Sequence, residues 1–439
     1  MKIGTVSLGC DKNRIDTENM LAYLKNYGYD FTPDPSEAEI IIVNTCGFIE
    51  SAKVEAINTV LEMAEYKKQG KCKVLVVTGC LVQRYMDEMS AEMPEVDVFL
   101  GTANYHKLPE ILNSLTTDSG QVKLKNDIND RRFSADRVLT TPEHYAYVKI
   151  AEGCDNHCTY CAIPYIRGKY TSRPIQDIVQ EVKGLLADHP IKEIILVAQD
   201  VTNYGKDLYG EPKLIELLEE LGKLDVEWIR LMYLYPELIT DKLLDYIASN
   251  PKICKYLDIP CQHISDTILK RMNRRVDGDY IRKLIDRIRS RGNFAIRSTF
   301  IVGFPGEGQE DFDELYDFIA KAKLDRCGFF AYSCEEGTPA ARLGGQIDED
   351  VKLERVNELY ELTESILAQK LQDRVGEVVD VIYEGVDYDR QCFYGRTQFD
   401  APDIDTTVYF TANRPVDIGT IYQVKIIGVD GEDSIGELL

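Results

Sequence analysis

The chain has 439 residues, 44% of them hydrophobic and 28% charged, with twelve cysteines and a formal net charge of −23. This length predicts two or three domains, and apolar runs such as Ile40–Val43 are far too short for a helix to span a bilayer. The negative balance weighs against a protein that grips nucleic acid mainly through phosphates and favours a cationic partner.

The first 115 residues alternate strand and helix signals. Lys2–Leu8 reads as a buried strand, followed by a helix from Asp16 to Tyr27 that stops at Gly28. Ile40–Val43 is the second strand, and its helix runs from Ser51, read as the N-cap, to Lys68 before Gly70. Lys73–Val77 is the third. This alternation predicts a parallel sheet.

A cysteine follows each strand, always beside a glycine: Gly9-Cys10, Cys46-Gly47 and Gly79-Cys80. The C-terminal edge of an open parallel sheet is where ligands bind, and glycine allows backbone to approach an inorganic group closely. Three small apolar residues in a core would be the bland alternative. Their common place at three successive strand ends favours a ligand set. There are three ligands rather than four, so one iron of a cubane cluster would stay open.

Residues 116–140 are polar and without period, as in Asn126-Asp127-Ile128-Asn129-Asp130-Arg131-Arg132, and read as a linker. Six strand-like segments follow: Tyr145–Ile150, Glu193–Ala198, Trp228–Tyr233, Tyr256–Ile259, Ile296–Val302 and Cys327–Tyr332. Helical stretches lie between them at Ile175–Ala187, Leu214–Leu221, Asp241–Ser249, Tyr280–Ser290 and Glu310–Lys321. Such a series predicts an open, partial barrel, because a complete one needs eight units.

Directly after the first of these strands comes Cys154-Asp155-Asn156-His157-Cys158-Thr159-Tyr160-Cys161. The C-x3-C-x2-C spacing places three thiolates on one loop, one short of the four that close a cubane iron–sulfur cluster. The open iron can then take a small molecule. A zinc knuckle is the alternative and needs a fourth ligand; His157, wedged beside Cys158, would strain a tetrahedral site.

A long amphipathic helix (Asp350–Arg374) precedes short strands at Val378–Tyr383, Val408–Phe410 and Tyr422–Ile427, the outline of a small β-barrel. Residues 371–439 hold 14 Asp/Glu against 5 Lys/Arg, a net of −9. That sign is wrong for a barrel that binds nucleic acid.

With two cysteine triads in this order, the whole chain resembles the radical S-adenosylmethionine (SAM) methylthiotransferase family. The resemblance implies an α/β protein in three parts: an N-terminal parallel α/β sheet domain (1–118), a central partial (β/α)6 radical SAM barrel (140–370) after a linker (119–139), and a small all-β TRAM barrel (371–439). It implies two 4Fe-4S clusters, an auxiliary one on Cys10, Cys46 and Cys80 and a SAM-binding one on Cys154, Cys158 and Cys161, with an electron donor as partner.

Gly9-Cys10-Asp11-Lys12-Asn13-Arg14, Asp258-Ile259-Pro260-Cys261-Gln262-His263 and Asp400-Ala401-Pro402-Asp403-Ile404-Asp405 resemble the branch that methylthiolates an aspartate β-carbon in ribosomal protein twelve of the small subunit. The branch acting on tRNA adenosine typically has Gly-Cys-Gln-Met-Asn and Val-Gln-Ser-Gly at the first two of these places. A basic ribosomal protein, free or on the ribosome, suits an acidic barrel, and RNA contact is a secondary expectation. A non-catalytic electron carrier is the remaining alternative, disfavoured because an open iron serves no purpose there. With no signal peptide at Met1-Lys2-Ile3-Gly4, a cytoplasmic enzyme is expected, and cysteines there more often serve metals than disulfides.

Further candidates for cofactor contact lie at strand ends: Tyr160 between two cluster ligands, Gln199 and Asp200 after the second barrel strand, Gln262 and His263 after the fourth, and Gly303 and Gly306 in the turn after the fifth. No catalytic residue is assigned beyond the cluster ligands. The basic stretch Lys270–Arg275 reads as a solvated helix face. Cys72, Cys254, Cys327, Cys334 and Cys392 lack ligand spacing and read as packing residues, and Cys261 stands where an apolar residue is expected.

Overall fold

In a computed structural model the chain forms two compact units. The structure describes residues 1–115, 120–125, 127–129, 133 and 136–439. The first unit comprises Met1–Thr140, Lys149–Gly184 and Glu335–Thr338; the second comprises Thr141–Val148, Leu185–Cys334 and Pro339–Leu439.

The first unit is built on β1 (Lys2–Ser7), α1 (Asp11–Asn26), β2 (Asp30–Phe31), β3 (Ile40–Thr45), α2 (Glu50–Gln69), β4 (Val74–Gly79), α3 (Cys80–Glu92), β5 (Val98–Leu100), α4 (Leu108–Ser114) and β6 (Val122–Leu124). The strands make one six-stranded parallel sheet in the order β2-β1-β3-β4-β5-β6. Val6 pairs with Val43 and Val43 with Val77, so the three cysteine-bearing strands end level with one another. Strand β3 is buried along its whole length, as expected for a sheet covered on both faces.

Sequence periodicity misses three elements of this sheet. Strands β2, β5 and β6 have two or three residues each, too few for alternation to show. Helix α1 begins five residues before the expected Asp16, because Cys10 is its N-cap and its carbonyl accepts from Asn13 and Arg14. Helix α2 is capped by Ile49, not Ser51.

The expected linker needs correction as well. Val122–Leu124 is a sheet strand. The Arg137 side chain is buried and ion-paired with Glu18 and, at 2.9 Å, with Glu181. Asn126, Asp130, Arg131 and Arg132 of that stretch lie outside the described residues.

Next come β7 (Tyr145–Lys149), β8 (Ala151–Glu152), α5 (Ile163–Arg167), β9 (Thr171–Ser172) and α6 (Ile175–Asp188). Strands β8 and β9 pair antiparallel and close the base of the Cys154–Cys161 loop. The loop therefore groups with the N-terminal sheet, and the unit boundaries depart from a division at residue 140.

The second unit continues with β10 (Glu193–Val197), α7 (Lys206–Tyr209), α8 (Leu214–Gly222), β11 (Trp228–Leu231), α9 (Asp241–Ser249), β12 (Tyr256–Asp258), α10 (Asp266–Arg271), α11 (Gly278–Arg289), β13 (Ala295–Val302), α12 (Gln309–Ala322), β14 (Arg326–Ala331) and α13 (Glu349–Asp373). All six expected barrel strands are present, in two three-stranded sheets ordered β11-β10-β7 and β12-β13-β14. Between β11 and β12 regular pairing gives way to an isolated parallel bridge, Ile229 to Ile253, and a bond from Leu234 N to the Asp258 carbonyl. The turn before β12 is knotted by Lys255, whose Nζ donates to the carbonyls of Ile247, Asn250 and Ile253.

Five terminal strands, β15 (Val378–Asp387), β16 (Cys392–Thr397), β17 (Val408–Thr411), β18 (Ile421–Asp430) and β19 (Asp433–Leu438), close a barrel in the order β15-β16-β17-β19-β18. Val381, Tyr383, Val408, Phe410, Val424 and Ile426 fill it. Glu193 at the head of β10 joins this barrel to the six-strand region, receiving Arg230 at 2.6 Å and Arg396 at 2.7 Å with all three buried. Among the described residues no helix is long and apolar enough to cross a membrane.

Candidate cluster sites

The level ends of β1, β3 and β4 bring Cys10, Cys46 and Cys80 to one edge. Burial raises the Cys46 and Cys80 thiols, and the neighbouring cysteines add to it, Cys10 at Cys46 and both Cys10 and Cys46 at Cys80. Three glycines permit this approach. A Cβ on Gly9, at φ +85°, would stand 2.8 Å from the Cys46 Cβ, and one on Gly47 would stand 2.6 Å from the Leu81 Cα. Gly79, at φ +100°, packs against Asn44 and Thr45. No other residue fits these contacts without moving a neighbouring loop.

Asn13 ties the three ends together, a role the sequence reading leaves unassigned. Its Nδ2 donates to the carbonyls of Leu8 and Thr45, both at 3.0 Å. Its Oδ1 lies 3.6 Å from the Cys80 Sγ and accepts from the Arg167 guanidinium. Asn44 in turn donates to the Asn13 carbonyl at 2.8 Å.

The second triad sits on the loop between β8 and β9. Gly153, at φ +82°, presses against the Gly168–Lys169 backbone, and the Cys154 N–H donates to the Gly168 carbonyl at 3.1 Å. The Cys161 N–H donates to the Cys158 carbonyl at 3.1 Å, and Asn156 Nδ2 lies 3.5 Å from the Cys154 Sγ. Cys154 and Cys158 are buried, Cys161 and Tyr160 half-buried, and His157 exposed in the left-handed region at φ 51°.

Helix α5 carries this loop to the first triad. Ala162 and Ile166 pack against Cys80. Arg167 is buried, with Nη2 3.3 Å from the Cys80 Sγ and Nη1 2.6 Å from Asp16 and 3.2 Å from Glu152. Lys149 bridges the same two carboxylates at 2.5 and 2.7 Å. The four charges cancel, which is the condition for ions to persist in an interior. Burial pushes the Cys80 thiol up to about 11, against the pull of Arg167, so as a free thiol it is protonated at neutral pH.

The donor sets fit iron–sulfur clusters. Each supplies three cysteines, which is cluster rather than hard-cation chemistry, and all twelve cysteines are unbridged. A zinc knuckle would gather four ligands within about 2.3 Å of one point. Among the described residues no group of three or more His, Cys, Asp or Glu is drawn around one point as a single ion needs, the two triads included.

The remaining candidates lie at strand ends of the second unit, Tyr160 excepted. Gln199 is half-buried, and the buried Asp200 accepts from Thr202 Oγ1 at 2.6 Å and the Asn203 N–H at 3.2 Å. Gln262 has φ 72° and is held by backbone bonds to Thr299 and Ile301. His263 is fully buried; its Nδ1 accepts from the Ser265 N–H at 3.0 Å, and its Nε2 lies 3.6 Å from Glu307. Burial raises the Glu307 carboxyl, but His263, the Gly303 backbone and Arg355 outweigh it and leave it below its usual range. Gly303 packs against Lys352, and Gly306, at φ +85°, leaves room for the Arg271 guanidinium.

Two expectations are corrected. Arg271 and Arg274 are not on a solvated face: Arg271 Nε donates to the Pro305 carbonyl at 2.8 Å, and Arg274 is buried against Tyr235 with Nη2 2.9 Å from the Pro260 carbonyl. Cys334 is exposed, so it is not a packing residue, whereas Cys261 is fully buried.

A cysteine-loaded loop leading into a parallel strand series beside a second cysteine triad is the construction of a radical SAM enzyme. Residues 148–319 match the Radical SAM superfamily, residues 2–101 the uncharacterized protein family UPF0004, and residues 375–439 the TRAM domain. The chain is 49% identical to the ribosomal protein uS12 methylthiotransferase RimO of Acetivibrio thermocellus, across 100% of this chain and 98% of that protein. It is 47% identical to the protein of the same name from Desulforamulus reducens, across 99% of both. The chain belongs to the RimO family of radical SAM methylthiotransferases. The fold is shared more widely: the radical SAM methyltransferase TsrM of Kitasatospora setae superposes with a TM-score of 0.59 at 12% identity, covering 83% of this chain and 88% of that one.

Proposed function

We propose that this chain adds a methylthio group to the β-carbon of an aspartate in ribosomal protein uS12. The observation that carries the reading is the identity of 47–49% across essentially the whole chain to enzymes named for that substrate. The acidic terminal barrel supports it, since ribosomal proteins are basic and opposite charge steers and orients a partner. We place the reaction in the cytoplasm, with an external electron donor.

Cys154, Cys158 and Cys161 would hold the SAM-binding cluster, and Cys10, Cys46 and Cys80 a second 4Fe-4S cluster. When bound, the clusters and SAM supply radical hydrogen abstraction from an unactivated carbon and the methylthio group itself. The chain's own residues orient and shield. Asn13 fixes the three strand ends, and the Gly168 carbonyl fixes the entry to the second triad. Cys80, Ala162 and Ile166 pack together and exclude water from that side. Tyr160, Gln199, Asp200, Gln262, His263, Gly303 and Gly306 are proposed as SAM contacts or as supports of the turns that make them.

The test is mass spectrometry of uS12 from cells with and without this protein. One methylthio mass gain on an aspartate peptide, present only with the protein, is the expected result. An unmodified uS12 together with methylthiolated adenosine in tRNA hydrolysates would overturn the reading.

A further inference from the structure

Arg167 occupies an unusual place. It is the last residue of α5, the helix that follows the Cys154–Cys161 loop, and the next residue, Gly168, accepts the Cys154 N–H at 3.1 Å. Its side chain points instead to the other triad, with Nη2 3.3 Å from the Cys80 Sγ and bonded to Asn13 Oδ1. One residue thus anchors a ligand loop of one triad through its backbone neighbour and a ligand sulfur of the other through its guanidinium.

The guanidinium is not free to turn. Nη1 is taken by Asp16 at 2.6 Å and Glu152 at 3.2 Å, and those carboxylates share Lys149. Asp16 also accepts from Tyr105 Oη at 3.3 Å. The planar fork of arginine turns this clamp on one edge into a fixed aim at the other. Although the four charges cancel from a distance, the group in contact with sulfur is the cation, and the carboxylates stand behind it.

We propose that Arg167 is a positioning residue for the cluster held by Cys10, Cys46 and Cys80, and that its N–H···S contact with Cys80 raises that cluster's reduction potential. The proposal rests on the assignment of a cluster to this triad. Reduction adds negative charge to a cluster, and a cationic donor on a ligand sulfur favours the more negative state; hydrogen bonds to sulfur and local charge are established determinants of such potentials. A lysine would keep the charge but lose the planar fork, so its single nitrogen could not hold Asp16 and Glu152 on one side while keeping a fixed aim at Asn13 and Cys80 on the other.

The test uses the full chain with Cys154, Cys158 and Cys161 all replaced by Ala, reconstituted anaerobically with iron and sulfide, so that only the first triad loads. Iron per chain is measured together with a midpoint potential from a redox titration followed by electron paramagnetic resonance. Arg167→Gln is expected to keep its iron and shift the midpoint to more negative values, and Arg167→Lys to shift it less in the same direction. Full iron with an unchanged or more positive midpoint in Arg167→Gln overturns the proposal. Should Arg167→Gln fail to fold or load, Arg167→Lys decides: a midpoint equal to or above the parent's overturns it. A parent that binds no more iron than one also lacking Cys10, Cys46 and Cys80 removes the cluster assignment itself, and the proposal with it.

Discussion

Asn13 and Thr45 are joined by a buried hydrogen bond of 3.0 Å from the Asn13 side-chain amide to the Thr45 carbonyl, one residue before Cys46. The same amide holds Leu8, two residues before Cys10, and the same side chain reaches Cys80. A single residue of helix α1 therefore sets the spacing of three strand ends.

Replacing Asn13 by Ala leaves the Leu8 and Thr45 carbonyls without that donor, at about 1–3 kcal/mol for each buried group left unpaired. The expected outcome is a lower Tm and loss of roughly half the iron from the reconstituted protein, the share of one of two equal clusters. Iron analysis and thermal denaturation check this. A variant with undiminished iron would show that the strand ends hold their spacing without the amide.

The two triads are expected to divide the chemistry. Any one of Cys154→Ala, Cys158→Ala and Cys161→Ala should abolish reductive formation of 5′-deoxyadenosine from SAM. Cys10→Ala should leave that reaction and stop methylthio transfer. Chromatography of the nucleoside product alongside mass spectrometry of the acceptor peptide separates the two. Methylthio transfer surviving in Cys10→Ala would reject this division.

Glu193 carries a pH signature. Burial raises its carboxyl, but Arg230 and Arg396 outweigh burial and hold it below its usual 4.5. A depressed carboxyl contributes stability that is present above the unfolded value and disappears as pH falls through the folded one. Glu193→Gln breaks a buried ionic triad, expected to cost about 3–5 kcal/mol at neutral pH. Circular dichroism melts of the apo-protein from pH 7 downward should show the gap between parent and variant constant above pH 4.5 and narrowing below it. A gap independent of pH would mean that the carboxylate's charge contributes nothing.

Glu335 ends a different chain of contacts. It receives Arg84 at 2.9 Å and Lys53 at 3.1 Å, and Arg84 donates at 2.7 Å to the carbonyl of Gly47, next to Cys46. Glu335→Ala leaves two largely buried cations without this partner, expected to cost about 3 kcal/mol. The same change should speed iron loss to a chelator, because the Cys46 loop loses its brace. Equal chelation rates for parent and variant would limit Glu335 to a purely stabilising role.

What could be read from the chain itself was whatever is local. The triad Cys154, Cys158 and Cys161 lies on one loop, so spacing alone reveals it. Cys10 follows its strand by three residues and Cys46 and Cys80 follow theirs by one, and parallel register then brings all three to one edge. The six barrel strands have enough length for hydrophobic runs to mark them, whereas Asp30–Phe31, Val98–Leu100 and Val122–Leu124 do not.

The supporting contacts had no such signal. Cys80 meets Asn13 across 67 positions and Arg167 across 87, while Arg84 meets Glu335 across 251. A buried arginine reads in sequence like a solvated one, as Arg271 and Arg274 demonstrate, because its burial depends on which carbonyls and carboxylates folding brings opposite it. The candidate ligands were thus picked out by the sequence alone, through short-range spacing and chain polarity. Which side chains brace those ligands, and with what charge, was decided only by tertiary structure, since desolvation and hydrogen-bond geometry exist only once distant segments are packed together.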